Sequence, residues 1–157
     1  MKPLPALALL LLLALPLLGA SSCEEKADED AAPLTAVAVG ETVPIPADGW
    51  TLATTSTTRA LALGSRKPLG TFVVVELTLT NTGTKKQALC GNRFKLVDGE
   101  GRTFSHDEAA TNEAGRKQLC QDINPGLTGA ARVAFDVPKD AAGLTLRGVG
   151  GYRVTVP

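Results

Sequence analysis

The chain has 157 residues, with 16 basic and 16 acidic side chains, a single His, three Cys and 4% aromatics. This length fits one domain, and a formal charge of zero offers no basic field of the kind that nucleic-acid binders display. One Trp, one Tyr and four Phe are also too few for stacking platforms that would hold sugars or single-stranded bases.

The first segment reads as an export signal. Met1 and Lys2 form a short positive start, followed by an apolar run from Leu4 to Leu18 that is interrupted by Pro5 and Pro16 and ends at Gly19. A permanent span needs about 20 uninterrupted apolar residues, so the run predicts a signal peptide over residues 1–22. Ala20-Ser21-Ser22-Cys23 follows, and small residues before a Cys resemble a bacterial lipobox, although Ala20 stands where that pattern carries Leu, Val or Ile. Ordinary signal-peptidase cleavage after Ser22 is the alternative. The cysteine count separates the two: three thiols in an exported chain leave one over after pairing, and Cys23 is where acylation would consume it. A diacylated Cys23 would anchor the protein stably, since two acyl chains suffice where one is marginal.

Residues 23–36 read as a tether. Glu24 to Asp30 carries five acids and one Lys with nothing to bury. From residue 31 onward there are fourteen basic and eleven acidic side chains, so the acidity belongs to the tether and the domain beyond it is mildly positive. Loss of the signal leaves about 135 residues, enough for one hydrophobic core, and the folded domain is expected over residues 37–157.

Beyond the tether the hydrophobic period is two, which predicts strands. Val37 to Ile45 and Trp50 to Ser56 are short candidates. In Phe72 to Asn81, Val73, Val75, Leu77 and Leu79 line one face, with Val74, Glu76, Thr78 and Thr80 on the other, and Asn81-Thr82-Gly83 ends the run. Phe94 and Leu96 alternate up to Asp98-Gly99-Glu100-Gly101, and Arg102 to Phe104 resume the pattern, predicting a hairpin. Ser105 to Gly115 holds one short helix, with Ser105 and Glu108 at capping-box spacing and Gly115 as terminator. Leu127, Ala131, Val133, Phe135 and Val137 share a face before Pro138, and Leu144 to Arg147 and Tyr152 to Val156 complete the set. About eight short strands separated by Gly, Pro, Asn and Asp turns predict an all-β, immunoglobulin-like antiparallel β-sandwich.

At this point a family resemblance is legible. Trp50-Thr51-Leu52, Gly70 to Gly83, Phe94 to Asp98, Asp122 to Leu127 and Val133 to Pro138, in that order, resemble a bacterial domain-of-unknown-function family with a telokin-like, immunoprotective-extracellular-protein-like sandwich. The resemblance covers roughly residues 37 to 156. It implies an exported protein or lipoprotein without a catalytic motif that could be carried onto residues of this chain.

Each candidate for chemistry has a simpler explanation. Cys90 and Cys120 are expected to form a disulfide, the default fate of two thiols in an exported domain; a redox pair would favour Cys-x-x-Cys at a helix start. Ser105-His106-Asp107 is a triad in sequence only, because neighbours in an extended chain point to opposite sides. His106 with Cys90 and Cys120 lacks the close ligand pairs of zinc motifs. Asp98 to Gly101 lacks the spaced oxygens of an EF-hand, and Gly64-Ser65-Arg66-Lys67 lacks the Walker pattern. Arg116-Lys117 and Lys85-Lys86 are loop charges able to meet an anionic surface.

The expected function is a non-catalytic envelope lipoprotein on the bacterial cell membrane or outer membrane. Its loops, Lys85 to Asn92 and Ser105 to Gln121, would meet an envelope protein or ligand. The expectation includes no cofactor, no metal and no nucleic acid. Two other classes stay open: a redox, metal-binding or enzymatic protein using Cys90, Cys120 or His106, and a structural or antigenic coat component.

Overall fold

The computed structural model describes residues 38–45, 49–115 and 120–157. The signal segment, Cys23 and the acidic tether lie outside the described residues. Among those described, ten strands and one short helix form two four-stranded sheets and a two-stranded ribbon, all antiparallel.

The first sheet contains β1 (Thr42–Ile45), β2 (Trp50–Ala60), β3 (Thr71–Asn81) and β8 (Thr128–Val137), in the order β1-β2-β3-β8. The alternation read in β3 is its packing pattern. Val73, Val75, Leu77 and Leu79 enter the main core together with Val133, Phe135 and Val137 of β8, the register pairing Val75 with Val133 and Val73 with Phe135. Each such side chain removed from water stabilises the fold by about 1.5 to 3 kcal/mol before the entropy of ordering it is counted. β2 runs four residues beyond the expected Ser56, and its pairing with β3 shifts between Thr54 and Ser56 at a bulge. Leu127 precedes β8 and is 57% exposed, so it does not share the inward face as expected.

The second sheet contains β5 (Lys95–Val97), β6 (Thr103–Ser105), β9 (Leu144–Arg147) and β10 (Arg153–Val156), in the order β10-β9-β5-β6. Its inward residues Leu96, Leu144, Leu146, Val154 and Val156 close the main core, with Phe94 and Tyr152 beside them. The buried Tyr152 hydroxyl hydrogen-bonds Thr54 Oγ1 at 3.0 Å, which ties the second sheet to the first, and burial pushes the phenol above its ordinary pKa. Phe94 lies so close over Gly148 that a Cβ there would come within 2.7 Å of the ring.

The remaining strands, β4 (Gln87–Cys90) and β7 (Cys120–Ile123), pair only with each other. Neither is predicted as a strand, because each sends a single residue, Leu89 or Ile123, into the core and so shows no repeated alternation. The helix α1 (Glu108–Glu113) covers the outer face of the first sheet, where Phe72, Val74, Ala110 and Ala134 form a second apolar cluster. Its N-cap is Asp107 rather than Ser105. Ser105 is held in β6 opposite Lys95, whereas Asp107 Oδ1 accepts the Ala110 N–H at 2.8 Å. Gly115, at φ +96°, ends the helix as expected. Thr111 Oγ1 accepts the Ala134 N–H at 3.0 Å and Asp107 N–H donates to the Ala134 carbonyl at 2.8 Å, which together seal part of the β8 edge.

Candidate interaction surface

Cys90 and Cys120 face each other in the β4–β7 register and are joined by a disulfide, with Cα atoms 4.0 Å apart. The bridge joins the end of β4, inside the expected loop Lys85 to Asn92, to the start of β7, at the end of the expected loop Ser105 to Gln121, and closes the two strands into one ribbon. Leu89 and Ile123 anchor it in the core. Buried Asn81, the last residue of β3, holds its other end. The amide of Asn81 donates to the carbonyls of Lys85 and Ile123, both at 2.8 Å, and its oxygen accepts the Gly83 N–H at 2.9 Å and the Gln87 amide at 3.3 Å. All the hydrogen-bonding positions of that side chain are used, so the ribbon is set rigidly on the sandwich. In the bridged state neither sulfur is a thiolate able to attack a substrate or ligate a metal.

The other sequence candidates lie in separate places. His106 is half-buried and bridges Phe135 of β8 through its backbone. Asp107 is engaged by the helix start and lies 3.5 Å from Arg66, so Ser105, His106 and Asp107 act in edge and cap contacts. Among the described residues no group of three His, Cys, Asp or Glu could hold a metal ion. Asp98 closes the β5–β6 hairpin: its carboxylate accepts the backbone N–H of Glu100 (3.0 Å) and Arg102 (2.8 Å), and the Arg102 Nε (2.6 Å). Burial alone would raise the Asp98 pKa, but Arg102 and these backbone donors outweigh it and hold the carboxyl below its usual range. The segment Gly64 to Lys67 is an exposed bend, with Leu63 and Arg66 exchanging backbone hydrogen bonds at 2.9 and 3.0 Å. Lys86 pairs with Asp122 at 2.7 Å and Lys85 is exposed, while Arg116 and Lys117 lie outside the described residues.

An open depression of about 490 Å³ is lined by Leu69, Gly70, Asp136, Val137 and Pro138. Its one charged side chain, Asp136, accepts the backbone N–H groups of Leu69 (2.7 Å) and Gly70 (3.1 Å), so the carboxylate closes the β2–β3 connection.

One arrangement was invisible in the sequence. Lys95 opens β5, Arg147 closes β9 and Arg153 opens β10, and the register places Arg147 directly opposite both Lys95 and Arg153. All three are exposed, with no carboxylate partner among the described residues. β5, β6, β9 and β10 contain no acidic residue. Exposed Arg93, in the helical turn Gly91–Arg93, leads from Cys90 to this row. Three single charges in separate segments carry no local signal; only strand register brings them together.

The sequence profile of the DUF4352 family, a domain of unknown function, matches residues 38–154, which is most of the chain and nearly all of the described domain. The chain belongs to the DUF4352 family. No curated protein is a significant match to it. Among solved structures, this DUF4352 domain is similar to the YjhA protein of Bacillus subtilis, at 15% identity and a TM-score of 0.60 over 76% of this chain and 98% of that one. It is also similar to MPT63, a secreted protein of Mycobacterium tuberculosis, at 9% identity and a TM-score of 0.53 over 78% and 97%. At such identities the likeness is one of fold, and it agrees with the β-sandwich that the hydrophobic period predicts.

Proposed function

We propose that this DUF4352 protein is a non-catalytic, exported module, held at the cell envelope by acylated Cys23, that presents its disulfide-tied ribbon to another envelope protein or ligand. The observation that carries this reading is the ribbon itself. Two strands that belong to neither sheet are pinned by a disulfide at one end and by the four side-chain hydrogen bonds of Asn81 at the other. Segments held out on a rigid sandwich are where such modules recognise partners. A disulfide suits an oxidising compartment, and the apolar run before Ala20-Ser21-Ser22-Cys23 supplies the route there.

Two experiments test the reading. Exposed ribbon and turn positions can be altered without touching the disulfide, by replacing Ala88, Asn92 and Asp122 with Arg. Capture from envelope extracts should then lose the partners seen with the wild-type protein, and an unchanged partner set would remove the ribbon from the interaction. The anchor is checked separately by the intact mass of the mature protein and by fractionation of Cys23→Ser. A mature chain lacking acyl mass would remove the anchor.

A further inference from the structure

We propose that the cationic row Lys95–Arg147–Arg153 is a docking surface for the anionic phospholipid head groups of a bilayer. The inference deepens the envelope-anchored reading, since an anchor would keep the domain close to such a surface. Residues directly opposite on neighbouring strands share a face, and the alternate residues Phe94, Leu96, Leu146 and Val154 are buried, so the three cations project together away from the core. Neighbouring strands lie about 4.8 Å apart, so the row extends over roughly 10 Å. Like charges directly opposite on adjacent strands destabilise a sheet, and no carboxylate among the described residues relieves the repulsion here.

The shape of the site selects the partner. The other outward residues of this sheet include Thr103, Ser105, Thr145 and Thr155, short side chains that build no wall around the cations. A small anion would therefore stay solvated. A planar array of phosphodiesters, in contrast, can meet all three cations at once. Basic residues near an anionic leaflet add their attractions within a Debye length of it.

The test uses the full mature chain with Cys23→Ser, so that binding does not depend on acylation, and vesicles of phosphatidylglycerol with phosphatidylcholine or of phosphatidylcholine alone. Sedimentation should show binding to the anionic vesicles that is weakened at 0.5 M salt. Lys95→Gln/Arg147→Gln/Arg153→Gln should weaken it roughly a hundredfold, while Lys67→Gln/Lys85→Gln/Lys139→Gln, which removes the same charge elsewhere, should change it less than threefold. Circular dichroism and the thermal midpoint verify that both variants fold. Equal binding to the two vesicle types, or equal losses in the two triple variants, would overturn the proposal. Because the chain used carries no lipid, its failure is distinct from a failure of the anchor, which the mass of cellular protein reports.

Discussion

The two sheets of this sandwich are built differently. The sheet β1-β2-β3-β8 has three strands of ten or eleven residues and is covered on both faces where α1 lies over Phe72 and Val74. The sheet β10-β9-β5-β6 has strands of three or four residues, packs one face on the core and exposes Lys95, Arg147 and Arg153 on the other, where Val97 is covered. The long sheet therefore holds most of the fold and carries the ribbon at Asn81 of β3, while the outward positions of the short sheet can change without loss of the core.

The contrast can be broken at its strongest point first. Phe135→Ala removes a fully buried ring from the long sheet and should cost about 3 to 5 kcal/mol in urea unfolding. Replacing both Cys90 and Cys120 with Ser should cost about 3 to 4 kcal/mol, because it frees a loop of 30 residues in the unfolded chain. A loss below 1 kcal/mol would mean that the ribbon is held by Asn81 and its core contacts alone. Asn81→Ala removes the donor to the buried Ile123 carbonyl and to the Lys85 carbonyl, and should cost about 2 to 3 kcal/mol and raise amide exchange in β4 and β7.

Acid sharpens the comparison within the short sheet. The Asp98 pKa is lowered on folding, so its contribution is present above the unfolded carboxylate range and is lost as pH falls through the folded value. Asp98→Asn should accordingly flatten the acid limb of the stability profile below about pH 4, measured by unfolding at a series of pH values. The smallest effect is expected in the cationic row. Arg147→Gln should leave stability unchanged or raise it by a few tenths of a kcal/mol, because it relieves cross-strand repulsion.

What the sequence revealed follows the same division. Alternating Val73, Val75, Leu77 and Leu79 announced the long sheet because a half-buried strand must repeat every two residues. The second half of β2, Ser56 to Ala60, is nearly all polar and forms because β3 offers it a partner, so no local pattern marks it. The Cys pair was legible as a disulfide, whereas the strands that present it each bury one residue, Leu89 or Ile123, and leave no repeat to be read. Asp107 displaced Ser105 as the helix cap because pairing with Lys95 keeps Ser105 in an extended strand. The cationic row depends on register between distant segments, a property that no single window of sequence contains.

The bridge between Cys90 and Cys120 encircles a stretch of chain that includes the β5–β6 hairpin and α1. A protease that nicked this stretch would produce two pieces still covalently joined, migrating as one species until a reductant separates them. The molecule can thus be cut between the two cysteines without shedding either half.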